Sequence, residues 1–307
     1  MLGVRIHAIS VVRDEVDVVV TTLRSAASWC SRIYVVDNCS IDGTWEKLQQ
    51  LTRELPNLIL LGRYSGKFND ALRAGIYHHV KRFDDGVDWW VRLDADEVYV
   101  IDPRSVLASV PRWHDAVLGS MYQYYPTEQD MTEHSGDSGN YAVGSLELRS
   151  YRNDWQELRF IRDSVARRWG RDIWPDGSLR IARQTIPIRH FQYRSPQQVA
   201  HRLSIRSTID EFTHVHRQIE TFEKLRESGW AAITKQSSEL DFDDRIGPLI
   251  ARVNLTPSRL ESTRRQLGYW IRKIADKSIS KRRAHRKDAA IGAQRQFEDQ
   301  LSTNMEN

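Results

Sequence analysis

The sequence is short of cysteine, of long apolar runs and of net charge, and each shortage removes a class of protein. Its 307 residues include two cysteines, Cys30 and Cys39, which form neither a CxxC pair nor a zinc-binding spacing. A disulfide framework is therefore not expected, and two reduced thiols suit a cytoplasmic protein. No apolar stretch approaches the roughly 18 residues of a membrane span. The opening MLGVRIHAISVVRDEV has too short an apolar part, too soon followed by acids, to read as a signal peptide. The sequons at Asn38-Cys39-Ser40 and Asn254-Leu255-Thr256 are accordingly read as chance. Neither GxGxxG nor a Walker A loop is present, which argues against a dehydrogenase or a P-loop kinase. A net charge of +4 favours anionic ligands but is too weak to imply nucleic acid.

What is present is enough for a core: 40% hydrophobic and 28% charged residues, with ten tryptophans. The first hundred residues alternate. Val4 to Val12 reads as a strand closed by Arg13-Asp14-Glu15, and Val16 to Trp29 as a helix with Val19, Leu23 and Ala26 on its apolar face. Arg32 to Val36 is a second strand ending at Asp37-Asn38. A turn at Ser40 to Thr44 leads to a helix through Leu55, with Asp42 or Thr44 as its cap. Leu58 to Leu61 and Phe68 to Phe83 read as strand and helix again. The fourth strand, Trp89-Trp90-Val91 with Leu93, runs into Asp94-Ala95-Asp96-Glu97. Such alternation predicts an α/β fold with a parallel sheet covered by helices. In such sheets ligands bind beyond the carboxyl ends of the strands. The clusters Arg13-Asp14-Glu15, Asp37-Asn38 and Asp94–Asp96 should therefore line one edge. A strand that delivers two aspartates, one residue apart, can present them to a hard divalent cation; an acidic turn with no ligand is the plainer reading.

After Pro103 the pattern loosens. Ser105 to Val110 reads as a short helix and Ala116 to Tyr125 as a strand. Thr127 to Ser145, polar and rich in Gly and Ser, reads as a long loop of the kind that closes over a ligand. Leu146 to Tyr151 and Arg159 to Ile161 read as two short strands. Trp169 to Gly177 is an aromatic loop, and Ile186 to Tyr193 a further strand. Ser195 should cap a helix from Pro196 to about Leu225. Leu260, Leu267, Trp270, Ile271 and Ile274 mark a last helix. The basic run Lys277–Lys287 behind it is a solvated helix end or a peripheral contact with an anionic membrane; solvation is the default for charge runs. The expected division is a catalytic unit over 1–195, with halves 1–103 and 104–195, and a helical C-terminal region over 196–307 with a basic tail.

VVDNCSIDGTWE at 35–46 and LDADE at 93–97 resemble the family 2 glycosyltransferases, of GT-A fold. YSGKFNDALRAG at 64–75 is a looser match, and RHFQYRSPQQ at 189–198 is similar to the C-terminal His and YRSP segment of bacterial members. The resemblance covers roughly Val4 to Arg202. It implies a GT-A-like mixed sheet with flanking helices and a helical C-terminal extension. It also implies transfer of a sugar from a nucleotide-diphosphate sugar to a glycan, lipid-linked or protein acceptor, with inversion and with Mn²⁺ or Mg²⁺ as cofactor. By resemblance Asp94, Asp96 and His190 hold the metal, with Asp94 also on the ribose side. Asp37 and Asn38 meet the nucleotide. Asp14 and Glu15 face the base or ribose, or only cap the next helix. Lys67 and Arg92 meet phosphate, or are a surface and a strand-edge charge. The base that an inverting transfer needs should lie between the DxD strand and His190, where Asp163, Asp172 and Asp176 are the candidates. Asp176 sits in Trp174-Pro175-Asp176-Gly177, where family members carry an acid after a Val-His pair that this chain lacks. Two other readings stay open. One is a nucleotidyltransferase that makes the sugar nucleotide, weakened by the absence of glycine in Ser10 to Asp14. The other is a non-catalytic carbohydrate- or envelope-binding protein.

Overall fold

Trp89, Trp90 and Val91 show how the centre of the molecule is built. In the computed structural model, which describes residues 3–68, 71–82, 86–133, 148–167, 169, 174–175, 179–207 and 233–251, they form strand β4 (Trp89–Arg92). Successive strand side chains point to opposite faces. Trp89 and Val91 join one core and Trp90 the other, so the run is apolar without alternation because both faces are covered. The same holds for β1 (Ile6–Val12) and β2 (Arg32–Asp37), almost fully buried along their length.

Helix α1 (Val19–Ala27) buries Val19, Leu23 and Ala26, a stripe at helical spacing, in the first core. It starts later than Val16 because Asp14 takes a left-handed φ of 52° and turns the chain out of β1. Helix α2 (Thr44–Glu54) follows Gly43, whose φ of 99° favours glycine, and the Asp42 carboxylate accepts from the Thr44 N–H at 2.9 Å. Strand β3 (Leu58–Arg63) and helix α3 (Ala71–Lys81) complete the first half; α3 packs Leu72, Ile76, Tyr77 and Val80 into the second core.

Beyond β4 come β5 (Glu97–Tyr99), α4 (Pro103–Leu107), β6 (Ala116–Tyr125) and α5 (Glu128–Glu133). They are followed by β7 (Ser150–Arg162), α6 (Asp163–Ala166), β8 (Ile181–His190), α7 (Pro196–Ser207) and β9 (Asp241–Phe242). One mixed sheet carries all nine strands found among the described residues, in the order β3-β2-β1-β4-β7-β6-β8-β5, with β9 paired to β7. The first four strands are parallel; β7 runs antiparallel to β4 and to β6, while β8 is parallel to β6. The α/β expectation holds.

Two expectations need revision. The two short strands are one continuous β7 of 13 residues. Asn153-Asp154 are poor strand formers. The chain runs through because buried Asn153 donates its amide to Ser120 Oγ at 3.1 Å and Met121 O at 2.8 Å, where β6 shifts register. The loop from Thr127 begins with α5, nucleated by Asp130, whose carboxylate accepts from the Thr127 N–H and Oγ1 at 2.7 Å. The aromatic loop packs against the second core: Trp169 is buried and tilted against Tyr77 at 5.5 Å, and half-buried Trp174 stacks on it at 5.9 Å. Ser195 caps α7 as expected, its Oγ accepting from the Gln198 N–H at 3.1 Å. The rest of the expected 127–145 loop, the expected helix beyond Ser207, the segment from Ser258 and the Lys277–Lys287 run lie outside the described residues. No helix among those described is long and apolar enough to cross a membrane.

Candidate active site

The parallel strands end along one edge, and a cavity of about 430 Å³ opens there. Its floor is the chain leaving β1 (Arg13, Asp14, Glu15) and β4 (Arg92, Asp94, Asp96). Antiparallel β7 runs back past the end of β4, with Val91 opposite Phe160, and so brings Trp155 and Glu157 to the same edge. β8 ends there too: His190 pairs with Glu97 of β5 on one side and Gln123 of β6 on the other. Helix α7 closes the wall with Gln198, His201 and Arg202.

The two aspartates of the DxD strand have different surroundings. Asp94 accepts from Arg73 at 2.7 Å and from Arg92 at 2.8 Å, and Arg159 reaches it at 3.5 Å. Burial alone would raise its pKa, but the guanidiniums of Arg92, Arg73 and Arg159 outweigh burial and hold the carboxyl well below its ordinary value. Asp96 meets His190 instead, Oδ2 to Nε2 at 3.4 Å, with Arg202 3.8 Å away. Here too burial opposes ionisation, but His190 and the nearby arginines keep the carboxyl below its usual range. The imidazole responds in kind: burial lowers its pKa, and the larger combined effect of Asp96 and Glu97 raises it. His190 Nδ1 has no hydrogen-bond partner among the described residues.

Arg159 is the buried hub of this edge. It is 1% exposed and donates to Glu97 and, at 3.1 Å, to Glu157 Oε2, while reaching Asp94. Gly119 makes room for it and for Ile188: a Cβ there would collide with Ile188 Cδ1 and lie 3.0 Å from Arg159 Cγ. A second buried arginine, Arg194, follows β8 and donates to Glu15, to Asp17 at 2.7 Å and to the Phe191 carbonyl at 2.8 Å. It ties the chain entering α7 to the loop after β1. Asp14 makes a second tie, with Oδ2 2.7 Å from His201 Nε2 and Oδ1 accepting from the Ile41 N–H at 2.7 Å.

The positions singled out in the sequence divide as follows. Asp14, Glu15, Asn38, Arg92, Asp94, Asp96 and His190 line the cavity together. Asp37 lies behind the lining, fully buried, accepting from Arg63 Nε at 3.1 Å and from the Ser40 N–H at 3.0 Å. Asn38 takes the place in the wall; its amide donates to the Tyr64 and Gly66 carbonyls at 2.7 and 2.9 Å, and its Oδ1 has no partner among the described residues. Lys67 is exposed and outside the lining.

Asp163 is not placed to act as a base here. It follows β7 beyond Arg162, which pairs with Trp89, so it sits at the amino end of β4, the opposite edge of the sheet. There its carboxylate accepts from Lys81 at 2.6 Å, Trp90 Nε1 at 3.0 Å and Arg167 at 3.1 Å. Asp172 and Asp176 lie outside the described residues.

Arg73, Trp155, Glu157, Arg159, His201 and Arg202 reach the cavity without having been read from the sequence. One signal was available: Trp155 and Glu157, two apart in a strand, share a face. The arginines carried none, since a lone arginine on a helix or a strand reads as surface.

Among the described residues no group of three or more His, Cys, Asp and Glu side chains could hold a metal ion. Asp94, Asp96 and His190 are thus not gathered as one trio; Asp94 is engaged by guanidiniums, and Asp96 with His190 remains as a carboxylate–imidazole pair. Such a pair fits a cation whose remaining coordination comes from ligand oxygens and water.

No family model matches this chain, and no curated protein matches it. Among solved structures it resembles TarS of S. aureus, at 12% identity and a TM-score of 0.35, over 73% of this chain and 44% of that one. GlyE of Streptococcus pneumoniae TIGR4 follows at 14% identity and 0.29, over 55% of this chain and 36% of that one. The bifunctional glycosyltransferase WbbM gives 18% identity and 0.26, over 40% and 23% of the two chains. The chain therefore spans less than half the length of each of these three structures. At such low scores the cavity's own chemistry must carry any functional reading.

Proposed function

We propose that the chain is a metal-dependent glycosyltransferase that moves a sugar from a nucleotide-diphosphate sugar to an acceptor hydroxyl in glycoconjugate synthesis, with inversion. The observation that carries this reading is the meeting of Asp96, from the end of β4, with His190, from the end of β8, at 3.4 Å in a cavity at the carboxyl edge of the sheet. The charge balance of that cavity supports the metal. The five arginines of its lining each already face a carboxylate, so an entering diphosphate adds negative charge that they only partly offset in a partly desolvated space. A bound divalent cation would supply the missing charge. Asp96 and His190 would hold it, and it would serve as Lewis acid for the diphosphate leaving group; imidazole favours Mn²⁺ over Mg²⁺.

The chain's own residues do the rest. Arg73 and Arg92, held in place by Asp94, present guanidinium N–H groups to phosphate oxygens. Asn38, which lines the wall, would face the nucleoside. Helix α7, tied down through Arg194 and His201, shields the donor from water.

A thermal-shift screen tests the reading. UDP-, GDP- and dTDP-hexoses are added with and without Mn²⁺ to wild type and to Asp96→Ala. At least one sugar nucleotide should raise the melting temperature of the wild type, more so with Mn²⁺. Asp96→Ala should keep its ligand-free melting temperature within a few degrees and lose the Mn²⁺-dependent part. No shift with any donor, or an undiminished Mn²⁺ effect in Asp96→Ala, would overturn it.

A further inference from the structure

The reaction proposed above needs a group to receive the acceptor's proton, and the expected aspartates do not provide one among the described residues. The cavity itself contains five carboxylates. Four are enclosed: the Asp14 side chain is 3% exposed, and those of Asp96, Glu15 and Asp94 are 12%, 14% and 19% exposed. Glu157 differs, with 37% of its side chain open. It stands on the strand that runs back past β4, away from the Asp14–Asn38 side where the nucleoside is placed.

Its neighbours define what lies against it. Trp155, two residues earlier on the same face of β7, also lines the cavity, and its ring meets His190 edge-on with centroids 5.9 Å apart. An indole ring beside a carboxylate is the chemistry that receives a sugar: the apolar face of a pyranose lies on the ring, and a hydroxyl donates to the carboxylate. On the other side, Arg92 donates to Glu157 at 3.1 Å and also holds Asp94 at 2.8 Å. Glu157 is thus coupled through one guanidinium to the place proposed for the diphosphate.

We propose that Glu157 is the catalytic base, and that the acceptor it deprotonates is a hydroxyl of a sugar ring seated on Trp155. This rests on the donor reading given above. The acceptor O–H proton passes to the Glu157 carboxylate as the acceptor oxygen's electron pair forms the bond to the anomeric carbon. The bond from that carbon to the diphosphate oxygen breaks, and its electron pair leaves with the nucleoside diphosphate. In the free protein burial opposes the charge on Glu157, but Arg159 and Arg92 outweigh it and hold its pKa below the usual carboxylate range. A diphosphate that shares Arg92 takes away part of that pull, so the base gains strength when the donor is bound.

Hydrolysis of the sugar nucleotide, with water in the acceptor's place, tests this without knowledge of the natural acceptor. The donor used is whichever UDP-, GDP- or dTDP-hexose gives the largest Mn²⁺-dependent thermal shift with wild type. Its Kd and single-turnover hydrolysis rate are measured for wild type, Glu157→Gln and Glu157→Asp. Glu157→Gln should bind the donor within threefold of wild type and hydrolyse it at least 100-fold more slowly. Its residual rate should not rise with pH as that of the wild type does. Glu157→Asp, which keeps the carboxylate, should recover at least tenfold over Glu157→Gln. A Glu157→Gln rate within threefold of wild type would overturn the proposal. So would a loss matched by an equal weakening of donor binding, which would make Glu157 only a holder of Arg92. If no sugar nucleotide binds or is hydrolysed by wild type, the donor reading itself fails, a result distinct from either of these.

Discussion

At the scale of single residues, the cavity is a set of carboxylates kept in unequal states by the arginines around them. Asp94 is held ionised by three guanidiniums, whereas Glu15, buried between Arg194 and Asp96, is pushed up to about 7 by burial in spite of Arg194. That difference has a consequence for stability. A carboxyl whose folded pKa exceeds its unfolded value favours the fold when protonated. Its contribution is fully present below the unfolded pKa, near 4.5, and is lost as pH rises through about 7. Urea unfolding of wild type should therefore show a loss of stability between pH 5 and pH 8 that Glu15→Gln reduces. An identical slope in the variant would remove Glu15 as its source.

At the scale of elements, α7 is the wall whose position depends on few contacts. Its start is capped by Ser195 and anchored by Arg194, which is 1% exposed and binds Glu15, Asp17 and the Phe191 carbonyl. One turn into the helix, His201 meets Asp14. Arg194→Ala leaves two acids without their partner, and breaking a buried ion pair in this way costs about 3–5 kcal/mol. The loss should be local. Amide hydrogen exchange over Pro196–Ser207 should speed up in Arg194→Ala, while exchange in β1, β2 and β4 changes little. Equal acceleration in all of these elements would show that Arg194 supports the whole fold instead of seating one helix.

At the scale of the molecule, one sheet joins the nucleotide-side strands to the strands that carry Trp155, Glu157 and His190, and a late segment pins its far part. β9 pairs with β7, and beside it buried Asp243 accepts from Tyr124 Oη and from Arg189 Nε at 2.8 Å. Arg189 is the residue before His190, so this cluster fixes the end of β8. Asp243→Ala should destabilise the protein by about 3 kcal/mol, as expected for a buried charge that loses its partner. It should also reduce the Mn²⁺-dependent thermal shift, because His190 is then held less firmly. A variant with wild-type stability and a wild-type Mn²⁺ effect would contradict both parts.

The sequence by itself determined the first half of this fold and much of the candidate site's floor. Apolar β-rich runs alternating with helical stripes specify parallel strands. Such strands must end together, so Asp14, Glu15, Asn38, Asp94 and Asp96 could be placed at one edge from spacing alone. His190 was legible only by resemblance; the cavity includes it because β8 lies parallel to β6 and ends beside Glu97. Tertiary structure decided what no local pattern encodes. It determined that Asp37 turns to Arg63 while Asn38 lines the wall, and that Asp163 lies at the opposite edge. It also assembled Arg73, Arg92, Arg159 and Arg202 from α3, β4, β7 and α7 around the same carboxylates. The physical reason is that strand direction and helix periodicity are local properties of the chain. The partner of a charged side chain is set by which distant segment packs against it, and here antiparallel β7 and the return of α7 supply those partners.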